Sequence, residues 1–271
     1  LPAQWNYGRS AADAIDPLGF NLISHVELDI GGQLIDRLYS EYMFLWSCLT
    51  SDYFKAQKLS TMLKSDLDTG TLRLPNPVGC STGNGRPSLP NTVYVPLMFF
   101  FTKNPGAALP LIALQYHEVK LNFEFRGIRE LTRSDVEIVN PLDIDGSTPS
   151  IRSASLWVDY IYLDTDERRR FAQVSHEYLI EQVQFNEPEG IDTRSTTLNS
   201  ALQLNHPVKE LLWVVTRNET RELNTVSGND LFNFSSTSGG DTFETAKLLF
   251  NGHDRMKERD SFYYREVQPY N

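Results

Sequence analysis

The chain has 271 residues, with 35 acidic against 25 basic side chains and a formal charge of −10, a length that buries a sizeable core and by itself suggests about two domains. A hydrophobic fraction of 40% with 11% aromatic residues excludes a disordered chain, and the acidic balance argues against an electrostatic grip on nucleic acid or on an anionic membrane. Two cysteines, Cys48 and Cys80, are too few for a disulfide scaffold and fit a reducing compartment, and no apolar run approaches the roughly 18 residues of a membrane-spanning helix.

The dominant sequence period is two. His25-Val26-Glu27-Leu28-Asp29-Ile30 alternates, which predicts a half-buried strand with Val26, Leu28 and Ile30 on its inner face. Gly31-Gly32 tolerates the positive φ angles of a tight turn, so Gln33–Leu38 returns antiparallel. From Tyr39 the period lengthens: Tyr39, Tyr42, Met43, Trp46 and Leu49 recur at helical spacing, and Phe54–Leu63 continues in helical turns. Leu74–Asn91 is broken by Pro75, Pro77, Gly79, Gly83, Gly85, Pro87 and Pro90 and reads as a loop.

Val93–Phe101 has the pattern of a buried strand and ends at Asn104-Pro105-Gly106. His117–Phe125 is the cleanest alternation, with His117, Val119, Leu121, Phe123 and Phe125 on one face and Glu118, Lys120, Asn122 and Glu124 on the other. Ser155–Leu163 reads as a further strand, and Asp164 then caps a helix whose first turn is acidic and whose next residues are Arg168-Arg169-Arg170. That helix start is the preferred domain boundary. Tyr178–Phe185, Val208–Thr216 and Ala246–Phe250 are strand-like, and Asn251-Gly252 supplies another hairpin signal. Many strands, few helices and long loops favour an antiparallel sandwich. Leu28–Gln33 followed by Asp36-Arg37, and Leu248–His253 followed by Asp254-Arg255, form a weak internal echo.

No catalytic, cofactor or metal site emerges from the motifs. His117-Glu118 and His176-Glu177 each start a zinc-helix pattern, but the required second histidine is replaced by Leu121 and Ile180. Both histidines are therefore read as structural. Cys48 lies on the apolar side of its predicted helix and Cys80 in a loop, without a CxxC spacing. Gly79–Arg86 is Gly-rich but lacks the G-K-[ST] ending of a phosphate loop, and no G-x-S-x-G elbow occurs. The carboxylate pairs Asp143/Asp145 and Glu187/Glu189 are read as acidic surface, and Arg168–Arg170 as a solvated helix face. Asn218-Glu219-Thr220 and Asn233-Phe234-Ser235 match the N-glycosylation acceptor pattern, which makes Asn218 and Asn233 the candidate modification sites.

Several segments then fall into a family order. These are Val26–Asp36 with its Gly-Gly-Gln turn, Val95–Thr102, Ala108–Val119, Asp166–Phe171, Leu179–Gln184, Asn205–Leu211, Phe250–Arg255 and Val267–Tyr270. Together they resemble the major capsid protein of large icosahedral double-stranded DNA viruses, the iridovirus, chlorovirus and giant-virus group. The resemblance implies an all-β double jelly roll, two consecutive antiparallel eight-stranded sandwiches with short helices in loops and linker, here truncated at both ends. Residues 1–163 would hold the later part of the first roll, 164–177 a helical linker and 178–271 the earlier part of the second.

The function it implies is structural and not enzymatic. The subunit would form homotrimeric, pseudo-hexagonal capsomers that contact neighbouring capsomers and minor capsid proteins in a virion shell assembled in the host cytoplasm. It implies no cofactor, no direct contact with nucleic acid and no membrane insertion. Incomplete sandwiches would expose unpaired edges and apolar faces, so the polypeptide alone is expected to be aggregation-prone. Two other readings stay open on the residues: a carbohydrate-binding jelly-roll module that stacks sugars on Trp157, Tyr160 or Tyr162, and a jelly-roll hydrolase built on an acidic pair.

Overall fold

Two glycines decide where the first strand turns. A computed structural model describes residues 17–63, 92–127, 130, 151–191, 194–221, 231–236 and 240–270. In it β1 (Ile23–Ile30) and β2 (Gln33–Tyr39) form an antiparallel hairpin. Gly31 and Gly32 take φ values of 65° and 81°, a region that L side chains enter only at a cost. The turn is closed by the Gly32 N–H donating to Asp29 Oδ1 at 2.8 Å. Gly31 also donates to the Glu118 carbonyl at 2.9 Å, tying the turn to the start of β3 (Val119–Phe125). β3 pairs antiparallel with the other edge of β1, giving the order β2-β1-β3.

The alternation of β1 determines what this sheet buries. Val26 and Leu28 are fully buried, as is Leu38 opposite Val26, whereas Glu27 and Asp29 point to the other face. Beneath the sheet lie Phe20 of α1 (Leu18–Leu22), Met43 of α2 (Ser40–Thr50), Leu63 of α3 (Tyr53–Leu63), and Phe99 with Phe100 at the start of α4 (Phe100–Lys103). Each such side chain removed from water stabilises the fold by about 1.5–3 kcal/mol. Arg126, just past β3, fastens α1 and α2 to this sheet. Its Nη1 donates to the carbonyls of Asn21 and Ile23, at 3.2 and 3.1 Å, and to Ser40 Oγ at 2.8 Å.

Several elements differ from the sequence expectation. On α2 the predicted stripe holds at Met43, which is buried, and at Tyr42, which packs against the core, but Ser40 and Ser47 are its other buried residues and Leu49 and Cys48 are exposed. Small serines let the helix approach the sheet, and the Ser47 hydroxyl is satisfied by the Phe44 carbonyl at 2.7 Å. Val93–Phe101 buries Phe99 and Phe100 as its apolarity requires, but it is an extended segment that turns into α4 instead of a paired strand. Pro96 within it has no N–H to donate to a ladder. His117 precedes β3 in a bend, where a Cβ on Gly31 would meet its Nδ1 at 2.6 Å. Phe123 and Phe125 are exposed and stack on one another with centroids 6.2 Å apart.

Ser155–Leu163, Tyr178–Phe185 and Val208–Thr216 carry strand-like sequences but no ladder among the described residues. A period-two pattern becomes a strand only where a neighbouring backbone accepts and donates. Many of their side chains stay wet, with Trp157 85% exposed, Tyr162 91% and Leu179 99%, whereas Ile180 and Val183 pack against the core. Ala246–Phe250 divides into Thr245–Ala246, paired with Arg259–Asp260, and Leu249–Phe250, paired with His253–Asp254. The predicted Asn251-Gly252 turn has φ values of 50° and 78°. The helix Thr165–Gln173 is capped as expected, by the Asp164 carboxylate accepting from Glu167 N–H at 2.9 Å, and it buries no residue. The described sheet content is thus one three-stranded and two two-stranded sheets. The loop Leu74–Asn91, with Gly79–Arg86 and Cys80, and the pair Asp143/Asp145 lie outside the described residues.

Candidate functional site

The residues singled out from sequence do not converge. Asn218 is exposed at the start of a one-turn helix, Asn218–Arg221, while Thr220 of the same triplet is fully buried and its hydroxyl donates to the Arg217 carbonyl at 2.8 Å. Asn233 is half-buried, and its Oδ1 accepts from Ser235 N–H at 3.1 Å and from Ser235 Oγ at 2.6 Å. Glu187 and Glu189 are exposed, and Glu189 accepts from Ser200 Oγ at 3.0 Å. His176 stacks on Phe171 with centroids 4.9 Å apart and its Nε2 lies 2.8 Å from the Phe171 carbonyl. No group of three histidine, cysteine or acidic side chains able to hold a metal occurs among the described residues.

The chain instead brings together residues distant in sequence along the β2 edge. Asp36 lies opposite Leu28 and is only 4% exposed. Its Oδ1 accepts the N–H of Arg37 and the N–H of Val183, each at 2.9 Å, the second across 147 residues. The neighbouring Gln182 side chain donates to the Ile35 carbonyl. Two side-chain to backbone hydrogen bonds thereby join β2 to a segment that forms no ladder among the described residues. Burial raises the Asp36 pKa above its ordinary value, against the opposing pull of the two N–H donors and of Lys103.

Aromatic rings extend the seam in both directions. Tyr39 packs on Phe185 with centroids 4.8 Å apart, and Phe44 stacks on Phe232 at 4.6 Å with Phe234 at 6.1 Å. Lys103 Nζ sits 3.8 Å from the Trp46 ring centroid and donates to the Tyr42 hydroxyl at 2.8 Å. Desolvation lowers the Lys103 pKa and raises that of Tyr42. Glu41 accepts from Arg126 at 3.5 Å and faces Arg221 Nη2 at 3.7 Å. At the exposed margin, Glu181 pairs with Lys209 at 2.6 Å, and that hydrogen bond holds the Glu181 carboxyl below its ordinary pKa.

In the sequence Asp36 falls in the return strand, the Asp-Arg echo and a family-like segment, and Gln182 and Val183 in a strand-like, family-like run, but none of them carries a functional role there. Their pairing leaves no local signal, because hydrogen-bond partners so far apart have no characteristic spacing.

Comparison with known proteins matches residues 2–164 to the family described as "Major capsid protein N-terminus" and residues 167–271 to "Large eukaryotic DNA virus major capsid protein". The chain is 40% identical over 252 residues to the major capsid protein of Pyramimonas orientalis virus, covering 93% of this chain and 53% of that one. It is 42% identical over 264 residues to the major capsid protein of Phaeocystis pouchetii virus, covering 88% and 49% respectively. A chain of the solved PBCV-1 virus capsid superposes with a TM-score of 0.64 at 31% identity, covering 95% of this chain and 62% of that chain. The chain thus spans about half the length of these curated relatives. With both family matches running in order along it, the chain belongs to the major capsid protein family of large eukaryotic DNA viruses.

Proposed function

We propose that this chain is a structural shell subunit, and not an enzyme, that works by lateral contact in the virion capsid. The observation that carries the reading is the collinear family match over 2–164 and 167–271. The architecture proposed is a double jelly roll of two eight-stranded sandwiches, with 1–163 in the first roll, 164–177 as linker and 178–271 in the second. The change from one family match to the next between residues 164 and 167 supports that division, as does the capped helix at Thr165–Gln173.

Three such subunits place six similar sandwiches around a three-fold axis, which lets a trimer tile a six-fold lattice. The partners are two further copies, the neighbouring capsomers and minor capsid proteins. The negative charge of the chain fits a subunit that neither grips nucleic acid nor inserts in a membrane. Assembly is assigned to the host cytoplasm. Asn218 and Asn233 remain the proposed glycan acceptors, and the exposure of Asn218 supports it as the more accessible of the two. Negative-stain imaging of the full-length gene product tests the reading: hexagonal trimers are expected, and a monomer with a ligand cleft would overturn it.

One observation favours a second reading, sugar binding. Trp157, Tyr160 and Tyr162 are all exposed, as a stacking platform requires. Titration with a panel of oligosaccharides, read by tryptophan fluorescence, separates the two. Saturable quenching that Trp157→Ala abolishes would favour the carbohydrate module; no response favours the shell subunit.

A further inference from the structure

Among the described residues the buried apolar core is distributed unevenly. Leu18, Phe20, Ile23, Val26, Leu28, Leu38, Met43, Leu63, Phe99 and Phe100 all precede the linker helix. Phe232 is the one buried apolar side chain described beyond it, and it lies in that same cluster. Ile180, Val183 and Phe234 pack against the cluster as well. Ile180, Val183, Phe232 and Phe234 therefore exclude water by packing on that earlier core.

We propose that the segments around 180–185 and 231–234 fold on the β2 and α2 surface as a template, with Asp36 as the positioning residue, so that the chain on either side of the linker helix forms one cooperative unit. Three independent kinds of contact support this. Asp36 and Ile35 satisfy a backbone N–H and a side-chain amide of the incoming segment. Phe44 and Tyr39 supply ring faces to Phe232 and Phe185. Glu41 faces Arg126 from one side of the linker and Arg221 from the other. A buried acceptor left without its donor costs more than a neutral exchange of partners, so the buried Asp36 fixes which residue docks and not merely how tightly. The linker helix, which buries nothing, then acts as a connector and not as the element that holds the halves together. This inference is independent of whether the chain forms trimers.

The test uses the whole chain with a site-specific protease sequence inserted in the helix Thr165–Gln173. After cleavage in native buffer, the two fragments are expected to co-elute in size exclusion and to separate only in urea. Asp36→Ala should weaken their association roughly tenfold or more, whereas Asp36→Asn, which keeps the acceptor oxygen, should hold it near the parent. In the uncut chain, hydrogen exchange measured against urea should give one common opening for the Ile23–Tyr39 hairpin and for the Val183 amide. Fragments that part without denaturant, equal behaviour of the two Asp36 variants, or separate openings would each overturn the proposal.

Discussion

The carboxylate of Asp36 accepts the backbone N–H of Val183 at 2.9 Å, joining the first hairpin to a segment 147 residues later. Asp36 is buried and Val183 half-buried, so the bond is partly shielded from competition by water. Removing the acceptor and removing only the charge therefore have different consequences. Asp36→Ala removes the acceptor of two part-buried N–H groups and should lower stability by about 1–3 kcal/mol in all. Asp36→Asn keeps an oxygen for both and should fall within about 1 kcal/mol of the parent. Urea unfolding of the three proteins at neutral pH checks the order.

The pH dependence of that site follows from the direction of its pKa. Burial raises Asp36 above its ordinary value of 3.8, so the folded state holds the proton more tightly than the unfolded chain does. Its contribution is fully present below the ordinary carboxylate value and is lost as pH rises through the raised folded value. The parent should thus lose stability relative to Asp36→Asn on going from acid towards neutral pH, and the gap should be constant above that window. A gap that instead widens on acidification, in urea midpoints taken across the series, would contradict this.

Gly31 and Gly32 differ in what a side chain would meet. Gly31 combines a φ of 65° with a Cβ position 2.6 Å from His117 Nδ1, whereas nothing lies within 4 Å of the corresponding position at Gly32. Both alanine substitutions should pay the backbone cost of about 1–2 kcal/mol. Gly31→Ala should be the worse of the two, unless His117 swings away into solvent. Thermal unfolding of Gly31→Ala with and without His117→Ala isolates the clash: relief by the second change is the expected result.

Lys103 rests on Trp46 at 3.8 Å and is partly desolvated. Lys103→Met should cost about 0.5–2 kcal/mol and alter Trp46 fluorescence, with Lys103→Arg closer to the parent. By contrast, Lys209→Ala breaks the exposed pair with Glu181 and should change stability little, and less still in high salt. Chemical denaturation at two ionic strengths distinguishes the two lysines.

The Asp164 cap acts locally. Asp164→Ala removes the acceptor for Glu167 N–H and should weaken the helix by roughly 1 kcal/mol. Since that helix buries no residue, faster amide exchange should be confined to Thr165–Gln173, with the protection of β1 unchanged.

What the sequence made legible is what local rules control. The Gly31-Gly32 turn, the inner face Val26 and Leu28, the Asp164 cap and the Asn251-Gly252 hairpin each depend on a few adjacent residues. Trp157, Leu179 and Val214 looked like strand residues because they sit in apolar, β-branched or aromatic runs, but a strand also needs a backbone beside it. That is a non-local condition and leaves no mark on the run itself. On α2 the helical stripe was legible at Tyr42 and Met43 but not at Leu49, which is exposed in the last turn, while the buried Ser40 and Ser47 carry no hydrophobic signal. The seam was invisible as a site, since Asp36 and Val183 have no spacing rule between them. Family-like segments in order along the chain, by contrast, made the capsid relationship readable before any coordinates.

Native mass spectrometry of the full-length gene product measures the central claim most directly. The account predicts a single assembly with the mass of three copies, free of bound nucleic acid. A stable monomer under the same conditions would contradict it.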